Sequence, residues 1–244
     1  MADAIADLGL DDPLPVACRG TGNPALFEHL VRGFDPAPGA RVLDLGCGMG
    51  GPGEWLRRTR DVQVIGVDVM EEQVRVAGSL FPDVSACVGS ISALPLTSKS
   101  FEGAWVVGVL EMVHDKGSVI DELRRVLVTG SVAVVFVHVS VTDEIKDPPA
   151  SDEFVRSETL DEIFSERAFE ILDAGPVPDL PPAPDEWGDA VKRVRAHVAA
   201  RHAGDSRHVA VGAELDRFSR VLREGSIQPW RYVVRLTGEI PSGR

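Results

Sequence analysis

RVLDLGCGMG, residues 41–50, is the stretch that decides the fold class of this 244-residue chain. The apolar residues before the glycines alternate with a charged partner, as they do in a short buried strand. Gly46, Gly48 and Gly50 follow at G-x-G-x-G spacing, and glycines this close together cost chain entropy unless the backbone needs them. The usual need is a tight turn from a strand into a helix whose first N–H groups point at a ligand. The stretch therefore predicts a strand, a ligand-binding turn and a helix, with a glycine-rich turn that binds nothing as the alternative.

An acidic residue at the end of the next strand favours the ligand-binding interpretation. Val62–Val67 (VQVIGV) predicts that strand, and Asp68 follows it directly. An acid about 20 residues after the first glycine is the expected acceptor for ribose hydroxyl groups in a dinucleotide-like site. A solvent-exposed carboxylate at a strand end is the alternative interpretation of Asp68.

Strand and helix patterns alternate five times between the glycine-rich stretch and residue 140. This alternation predicts an α/β fold with a doubly wound, mostly parallel sheet and right-handed crossovers. A helix is also predicted to begin at Asn23 and Pro24, residue types favoured at the N-cap and the first helical position. The further strands are predicted near residues 84–88, 104–109, 131–140, 169–174 and 228–236.

The chain is expected to form one domain, residues 1–244, with two additions to the sheet. Residues 1–22 combine Asp, Gly and Pro with little periodicity, and we expect a mobile N-terminal arm. Residues 18–22 within it are interpreted as a plain loop, with ligand contact by Arg19 or Thr21 as the alternative. Residues 180–227 contain two amphipathic helical patterns. They are expected to form a helical cap insertion that folds over the carboxyl ends of the strands and contacts the substrate.

Composition and charge argue against several classes of function. A net charge of −13 would repel a phosphate backbone, so no nucleic-acid partner is expected. The chain lacks an apolar run of membrane-spanning length and a basic, apolar leader, so no membrane partner is expected. Cys18, Cys47 and Cys87 form no C-x-x-C pair, which favours a reducing, cytoplasmic compartment. No metal site is expected, because no residues have metal-ligand spacing.

Four segments, in the order VLDLGCGMG, IGVDVM, SFEGAWVVGVLEMVHD and ELRRVLVTG, resemble the motifs of class I S-adenosylmethionine-dependent methyltransferases. The resemblance covers about residues 38–174 and the last strand near residue 230. It implies a Rossmann-like, seven-stranded sheet in the order 3-2-1-4-5-7-6, with the last strand antiparallel, and S-adenosyl-L-methionine as the cofactor. The nicotinamide-binding spacing G-x-G-x-x-G is the rival interpretation, because Gly51 completes it from Gly46. Asp44 and the downstream motifs favour the methyltransferase interpretation.

The resemblance also implies roles for residues at the carboxyl ends of the strands, where ligands bind in such sheets. The three glycines would pass under the amino-acid part of the cofactor, Asp44 would orient its ammonium group, and Asp68 would accept both ribose hydroxyl groups. Val69 and Met70 would pack on the adenine face, and Ser90 and Ile91 would lie near the adenine amine. The backbone carbonyl of Val107 would contact the cofactor ammonium. Relatives often have Gly-Asp-Ala where this chain has Gly-Ser-Ile from position 89, so cofactor affinity is expected to be lower here.

Methyl transfer from a sulfonium requires an aligned nucleophile and, for some acceptors, a base that removes its proton. His114 is the first candidate base, because it follows the fourth strand and precedes Asp115, which would hold the required tautomer. His138 and Glu111 are the second and third candidates. The alternatives are a surface histidine at 114, a core or rim histidine at 138 and a structural carboxylate at 111.

These observations predict an S-adenosylmethionine-dependent methyltransferase that acts at O, N or C of a small, natural-product-like molecule of secondary metabolism. Two alternatives stay open. One is a non-methylating cyclase or binding protein that uses the cofactor as a scaffold, and the other is a nicotinamide-dependent oxidoreductase. The assembly also stays open, with a homodimer as one alternative.

Overall fold

Seven strands form one sheet in this computed structural model, which describes residues 2–18 and 23–238. The strands are β1 (Ala40–Leu45), β2 (Val62–Asp68), β3 (Ser85–Val88), β4 (Phe101–Val107), β5 (Leu127–Ser140), β6 (Phe169–Pro176) and β7 (Ile227–Leu236). Their order is β3-β2-β1-β4-β5-β7-β6. The first five strands are parallel, and β7 is antiparallel to both of its neighbours. The predicted strand order and the antiparallel last strand are confirmed.

Helices connect the strands and flank the sheet. Asn23 caps the third helix, because its side chain accepts a hydrogen bond of 2.9 Å from the backbone N–H of Ala25, which confirms the predicted helix start. A short 3₁₀ turn, Leu110–Met112, follows β4. In the described part of the chain the α-helices are α1 (Ala2–Asp7), α2 (Leu14–Ala17), α3 (Pro24–Leu30), α4 (Gly51–Thr59), α5 (Glu71–Leu80), α6 (Lys116–Val126), α7 (Ser157–Glu166), α8 (Asp185–Arg201) and α9 (Ser206–Arg223).

Both faces of the sheet are covered, as the continuous apolar run of β4 predicts. Successive residues of β4 enter opposite cores, since side chains alternate along a strand. Ala104 and Val106 pack in the layer that contains α6 and α7, whereas Trp105 packs in the layer that contains α3 and α4. Val106 also pairs with Leu45 of β1. The carboxyl ends of β1 and β4 therefore lie side by side, at the point where the strand order reverses.

The start of β5 differs from the sequence prediction. The strand begins at Leu127, which pairs with Phe101, instead of at residue 131. The register then shifts before Gly103 pairs with Val132. Gly130 lies in this irregular part with a φ of +89°, a conformation that glycine adopts without a Cβ penalty. Residues 127–130, which precede the predicted strand, are thus part of β5.

The N-terminal segment, expected to be a mobile arm, contains α1 and α2. Ala4, Ile5 and Val16 are buried together with Val194 of α8. The sequence did not predict these helices because the segment is short and its apolar residues show little helical periodicity. Their burial also depends on α8, which is distant in the sequence. Residues 19–22, which include the two considered for ligand contact, lie outside the described residues.

The helical pair expected between the sixth and seventh strands is present as α8 and α9. The ring of Phe218 in α9 lies 4.9 Å from the ring of His138, close to the carboxyl end of β5. Arg220 donates a hydrogen bond of 3.1 Å to the carbonyl of Lys146, in the loop after β5. The second helix of the insertion therefore contacts the edge of the sheet at which β5 ends. A contact of the insertion with substrate stays a prediction.

Candidate active site

The glycine turn joins β1 to α4 in a backbone conformation that side chains disfavour. Gly46, Gly48 and Gly50 have φ values of +71°, +52° and +81°, which cost other residues free energy because of their Cβ atoms. The N–H of Gly46 donates to the carbonyl of Val67 over 2.8 Å, which ties the turn to the end of β2. A Cβ atom on Gly46 would lie 2.4 Å from the side chain of Val109. Gly46 is therefore required by close packing as well as by its φ.

Gly48 and Gly51 mark the two sides of this turn. A Cβ atom on Gly48 would have no heavy atom within 4 Å, so this glycine borders open space. A Cβ atom on Gly51 would lie 2.5 Å from the backbone of Ala17 and Cys18. The helix begins at Gly51, directly after Gly50 turns the chain. One side of the turn is thus packed against α2, and the other borders space that a ligand could fill.

Asp68 closes the turn from the end of β2. Its Oδ2 accepts a hydrogen bond of 2.9 Å from the N–H of Gly48, and its Oδ1 accepts one of 2.9 Å from the N–H of Met70. Each oxygen of an ionised carboxylate has a second lone pair. The carboxylate is therefore held in place by backbone donors and can accept two further hydrogen bonds from a ligand.

Asp44 lies beneath the turn as a buried carboxyl group with an unpaired oxygen. The residue is 1% exposed, and no described residue pairs with its Oδ2. Burial raises its pKa to about 7, the N–H of Gly53 lowers the pKa, and the charge of Asp68 raises it. A buried polar atom without a partner is costly. A ligand ammonium group at this position would supply the missing hydrogen bond and an opposite charge.

The residues expected near an adenine ring lie around the end of β2. Val69 is 69% exposed and Met70 is 55% exposed, which leaves an apolar surface beside Asp68. Ser90 is exposed, and its Oγ accepts a hydrogen bond of 3.2 Å from the N–H of Ser92, so the hydroxyl oxygen already has one donor. Ile91 is half-buried against the core. Val107 is the last residue of β4, beside the glycine turn.

His114 is fully accessible and does not pair with Asp115. Its Nδ1 lies 2.7 Å from Oε2 of Glu153, and its side chain is 96% exposed. Asp115 instead caps α6 by accepting a hydrogen bond of 3.0 Å from the N–H of Ser118. The expected partner of His114 was therefore wrong, because the helix that starts at the next residue recruits Asp115 as its N-cap.

The structure brings together His138 and Glu111, which the sequence offered as separate candidates. Nδ1 of His138 lies 2.8 Å from Oε1 of Glu111, and both side chains are buried. The other carboxylate oxygen of Glu111 has no partner among the described residues. The rings of Phe136 and Phe218 contact the imidazole edge-on, at 5.2 and 4.9 Å between centroids. A proton on Nδ1 donated to the carboxylate leaves Nε2 as the basic nitrogen.

The loop after β5 supplies acidic residues that the sequence analysis did not select. The pKa of Asp152 is raised by burial and by the charge of Glu111, and the charge of His138 lowers it. The N–H of Glu153 donates to the carbonyl of Glu111 over 2.7 Å. Burial lowers the pKa of Lys116, whose Nζ donates to the carbonyl of Val113 over 2.7 Å. The two adjacent acids at 152 and 153 are the sequence feature that could have indicated these residues. Their position became clear only from the structure, in which the loop packs against the 3₁₀ turn.

The family described as "Methyltransferase domain" matches residues 43–135, from β1 into β5. This match covers the glycine turn, both strand-end acids and the 3₁₀ turn, on a sheet with the strand order implied by the motifs. The chain therefore contains a region similar to the methyltransferase domain family, as its motif order predicted. The match places Asp44, Asp68 and Glu111 inside the methyltransferase domain, whereas His138 and the α8–α9 insertion follow the matched residues.

Individual methyltransferases resemble the chain over about half of their length. An O-methyltransferase of Pyrenophora dematioidea is 26% identical over 154 residues, which cover 57% of this chain and 57% of that protein. Methyltransferase GfsG of Streptomyces halstedii is 30% identical over 125 residues, which cover 49% of this chain and 45% of that protein. The chain thus spans about half the length of the curated relatives it matches.

A solved structure shares the fold over most of the chain. The [4+2]-cyclase SpnF superposes with a TM-score of 0.67 at 22% identity, over 86% of this chain and 80% of that one. This similarity shows that the two chains share a fold. Within the described residues, no helix is both long and apolar enough to cross a bilayer.

Proposed function

We propose that this domain binds S-adenosyl-L-methionine and transfers its methyl group to a small-molecule acceptor. The observation that carries the proposal is the unpaired, buried oxygen of Asp44 beneath a turn that Asp68 closes. Asp44 would receive the cofactor ammonium, together with the carbonyl of Val107, and Asp68 would accept the ribose hydroxyl groups. The glycine turn would lie under the amino-acid part of the cofactor, and the exposed side chains of Val69 and Met70 would pack on the adenine.

The proposed cofactor site offers its weakest hydrogen-bond acceptor to the adenine amine. Ser90 and Ile91 would contact it, but a neutral hydroxyl is a weaker acceptor for an amine than the carboxylate common in relatives. The Ser90 oxygen also accepts from Ser92. We therefore expect most of the recognition to come from the two acids and the glycine turn.

The named relatives support methyl transfer and favour oxygen as the acceptor atom. One of them is called an O-methyltransferase and the other a methyltransferase. We propose a natural-product-like acceptor for the same reason. These names favour methylation over the nicotinamide and cyclase alternatives.

The chain's own contribution to the reaction is alignment and removal of a proton from the acceptor. S-adenosylmethionine supplies an electrophilic methyl group when it is bound. Glu111 would hold His138 with its proton on Nδ1, so that Nε2 accepts the proton of an acceptor hydroxyl. This arrangement favours His138 as the base, with Glu111 as its positioning residue. His114, the first candidate from the sequence, remains the alternative base, and its ring is oriented by Glu153.

Calorimetric titration of the purified chain with S-adenosylhomocysteine, S-adenosylmethionine and NAD tests the cofactor part of the proposal. We expect saturable binding of the two sulfur nucleosides and none of NAD. Binding of NAD alone would overturn it. The proposal also includes a reducing, cytoplasmic compartment, which the three free thiols support, and a monomer or homodimer that gel filtration with light scattering would distinguish.

A further inference from the structure

Helix α9 carries an apolar stripe that the fold only partly covers. Val211, Leu215, Phe218 and Leu222 follow helical spacing and share one face of the helix. Three of them are unusually accessible for their type, with exposed fractions of 48% for Val211, 51% for Leu215 and 37% for Leu222. We call these four residues the α9 stripe.

Phe218 connects the α9 stripe to the His138–Glu111 pair. Its ring contacts the imidazole of His138 edge-on at 4.9 Å and lies 6.1 Å from the ring of Phe154. Leu215 and Leu222 lie next to Phe218 on the same side of the helix. The apolar surface is therefore continuous from the solvent-exposed part of α9 to the buried imidazole.

Contacts of other α9 residues fix the orientation of the stripe. Val221 is fully buried, Glu214 accepts a hydrogen bond of 2.7 Å from the N–H of Ala150, and Arg220 donates to the carbonyl of Lys146. These contacts hold the helix against the loop after β5. The accessible part of the α9 stripe is thus a defined surface beside the His138–Glu111 pair.

The charges around this pair are mainly negative. Glu111, Asp152 and Glu153 approach it from the 3₁₀ turn and the loop after β5. Lys116 is one nearby cation, and it is buried with its Nζ bound to the carbonyl of Val113. Arg217 and Arg220 of α9 are paired with Glu214 and Asp147. An acceptor with a phosphate or carboxylate near its reacting atom would meet unfavourable potential here.

We infer that the α9 stripe forms the wall that binds the methyl acceptor, and that this acceptor combines an apolar body with an uncharged protic group. The apolar body lies along Leu215, Phe218 and Leu222, and the protic group reaches the imidazole of His138. This inference rests on the proposed function, because it assigns the substrate class of the same site. Leu215 and Phe218 are then specificity-determining residues of the reaction.

Equilibrium binding of 4-ethyl-, 4-butyl- and 4-hexylphenol to the full chain tests the wall. We expect affinity to rise about two- to fourfold with each added methylene, as burial of apolar surface requires. Leu215→Glu should remove most of this dependence on chain length, and the milder Leu215→Ala should reduce it. Val209→Glu is the matched control, since Val209 is 62% exposed and lies on the opposite side of α9 from Phe218. Circular dichroism checks that each variant is folded.

A chain-length dependence that is absent, or that Leu215→Glu and Val209→Glu change equally, would overturn the inferred wall. The charge part of the inference is tested with 4-hexylphenyl phosphate, which we expect to bind at least tenfold more weakly than 4-hexylphenol. Equal or tighter binding of the phosphate contradicts it. Titration of the same samples with S-adenosylhomocysteine reports separately on the cofactor site, so failure of the proposed function is distinguishable from failure of the wall.

Discussion

The imidazole Nδ1 of His138 and the carboxylate Oε1 of Glu111 lie 2.8 Å apart, although 27 positions separate the two residues in the chain. They meet because β4 and β5 are adjacent and parallel, so the turn after one strand lies beside the end of the other. Burial of two polar side chains costs free energy, which their hydrogen bond to each other partly offsets. The pair is therefore the best-defined candidate for proton removal in the domain.

Replacement of His138 should separate the two candidate bases. If Nε2 of His138 removes the acceptor proton, His138→Ala should lower kcat by about 10²–10⁴ and leave S-adenosylhomocysteine affinity nearly unchanged. Glu111→Gln should lower kcat less and shift its pH dependence, because the amide holds the imidazole without a charge. His114→Ala is the control, since this ring is exposed. A larger loss in the His114 variant would transfer the role to that residue.

Removal of the Asp68 carboxylate should weaken cofactor binding. Asp68→Ala deletes two charge-assisted hydrogen bonds to ribose, worth about 1.5–3 kcal/mol each, and also frees the N–H groups of Gly48 and Met70. We expect at least a tenfold rise in the Kd of S-adenosylhomocysteine by calorimetry. Asp83→Ala removes an exposed carboxylate before β3 and should leave the Kd unchanged. A parent-like Kd for Asp68→Ala would refute the ribose assignment.

Asp44 should make the ligand-free protein less stable as the pH rises. Its pKa is raised from 3.8 to about 7 by burial, so between these values the folded state holds a proton that the unfolded state has lost. The free energy of unfolding contributed by this group is unreduced below pH 3.8 and falls as the pH approaches about 7. Urea titrations at several pH values should show this fall in the parent and not in Asp44→Asn. Identical pH profiles would mean that Asp44 is not protonated in the folded state.

The same carboxyl group should release a proton when the cofactor binds. An ammonium group beside Asp44 favours the charged carboxylate and lowers the raised pKa. Calorimetry of S-adenosylhomocysteine binding near pH 6, in buffers of different ionisation enthalpy, should therefore report net proton release by the parent. Asp44→Asn should show less release. Proton uptake by the parent would contradict an ammonium at this position.

Two glycines of the turn should respond differently to alanine. Gly46→Ala places a Cβ atom 2.4 Å from Val109 in addition to its positive φ, so thermal unfolding should occur well below the parent Tm. Gly48→Ala has the φ penalty of about 1–2 kcal/mol alone, because nothing lies within 4 Å of its new Cβ. That variant should fold and lose affinity for S-adenosylhomocysteine, as its methyl enters the proposed ligand space. Equal losses of Tm would show that the packing of Gly46 is not limiting.

Local chemistry let the sequence determine the strands, the glycine turn and the capped start of α3. Asn23 caps its own helix. Gly46, Gly48 and Gly50 adopt the positive φ values that the closely spaced glycines predict. The motif order also implied the arrangement of the sheet, which is confirmed. These features depend on interactions between residues close in sequence or on a pattern spread over the whole domain.

Only the tertiary structure decided which side chains meet at the carboxyl edge. Glu153 rather than Asp115 contacts His114, Glu111 contacts His138, and Phe218 reaches the same imidazole from the insertion. The burial of Asp44, which raises its pKa, likewise requires the assembled turn above it. A sequence pattern predicts which face of an element is buried. It does not predict which distant side chain lies within hydrogen-bond distance, because that depends on how the loops and the insertion pack after the sheet has formed.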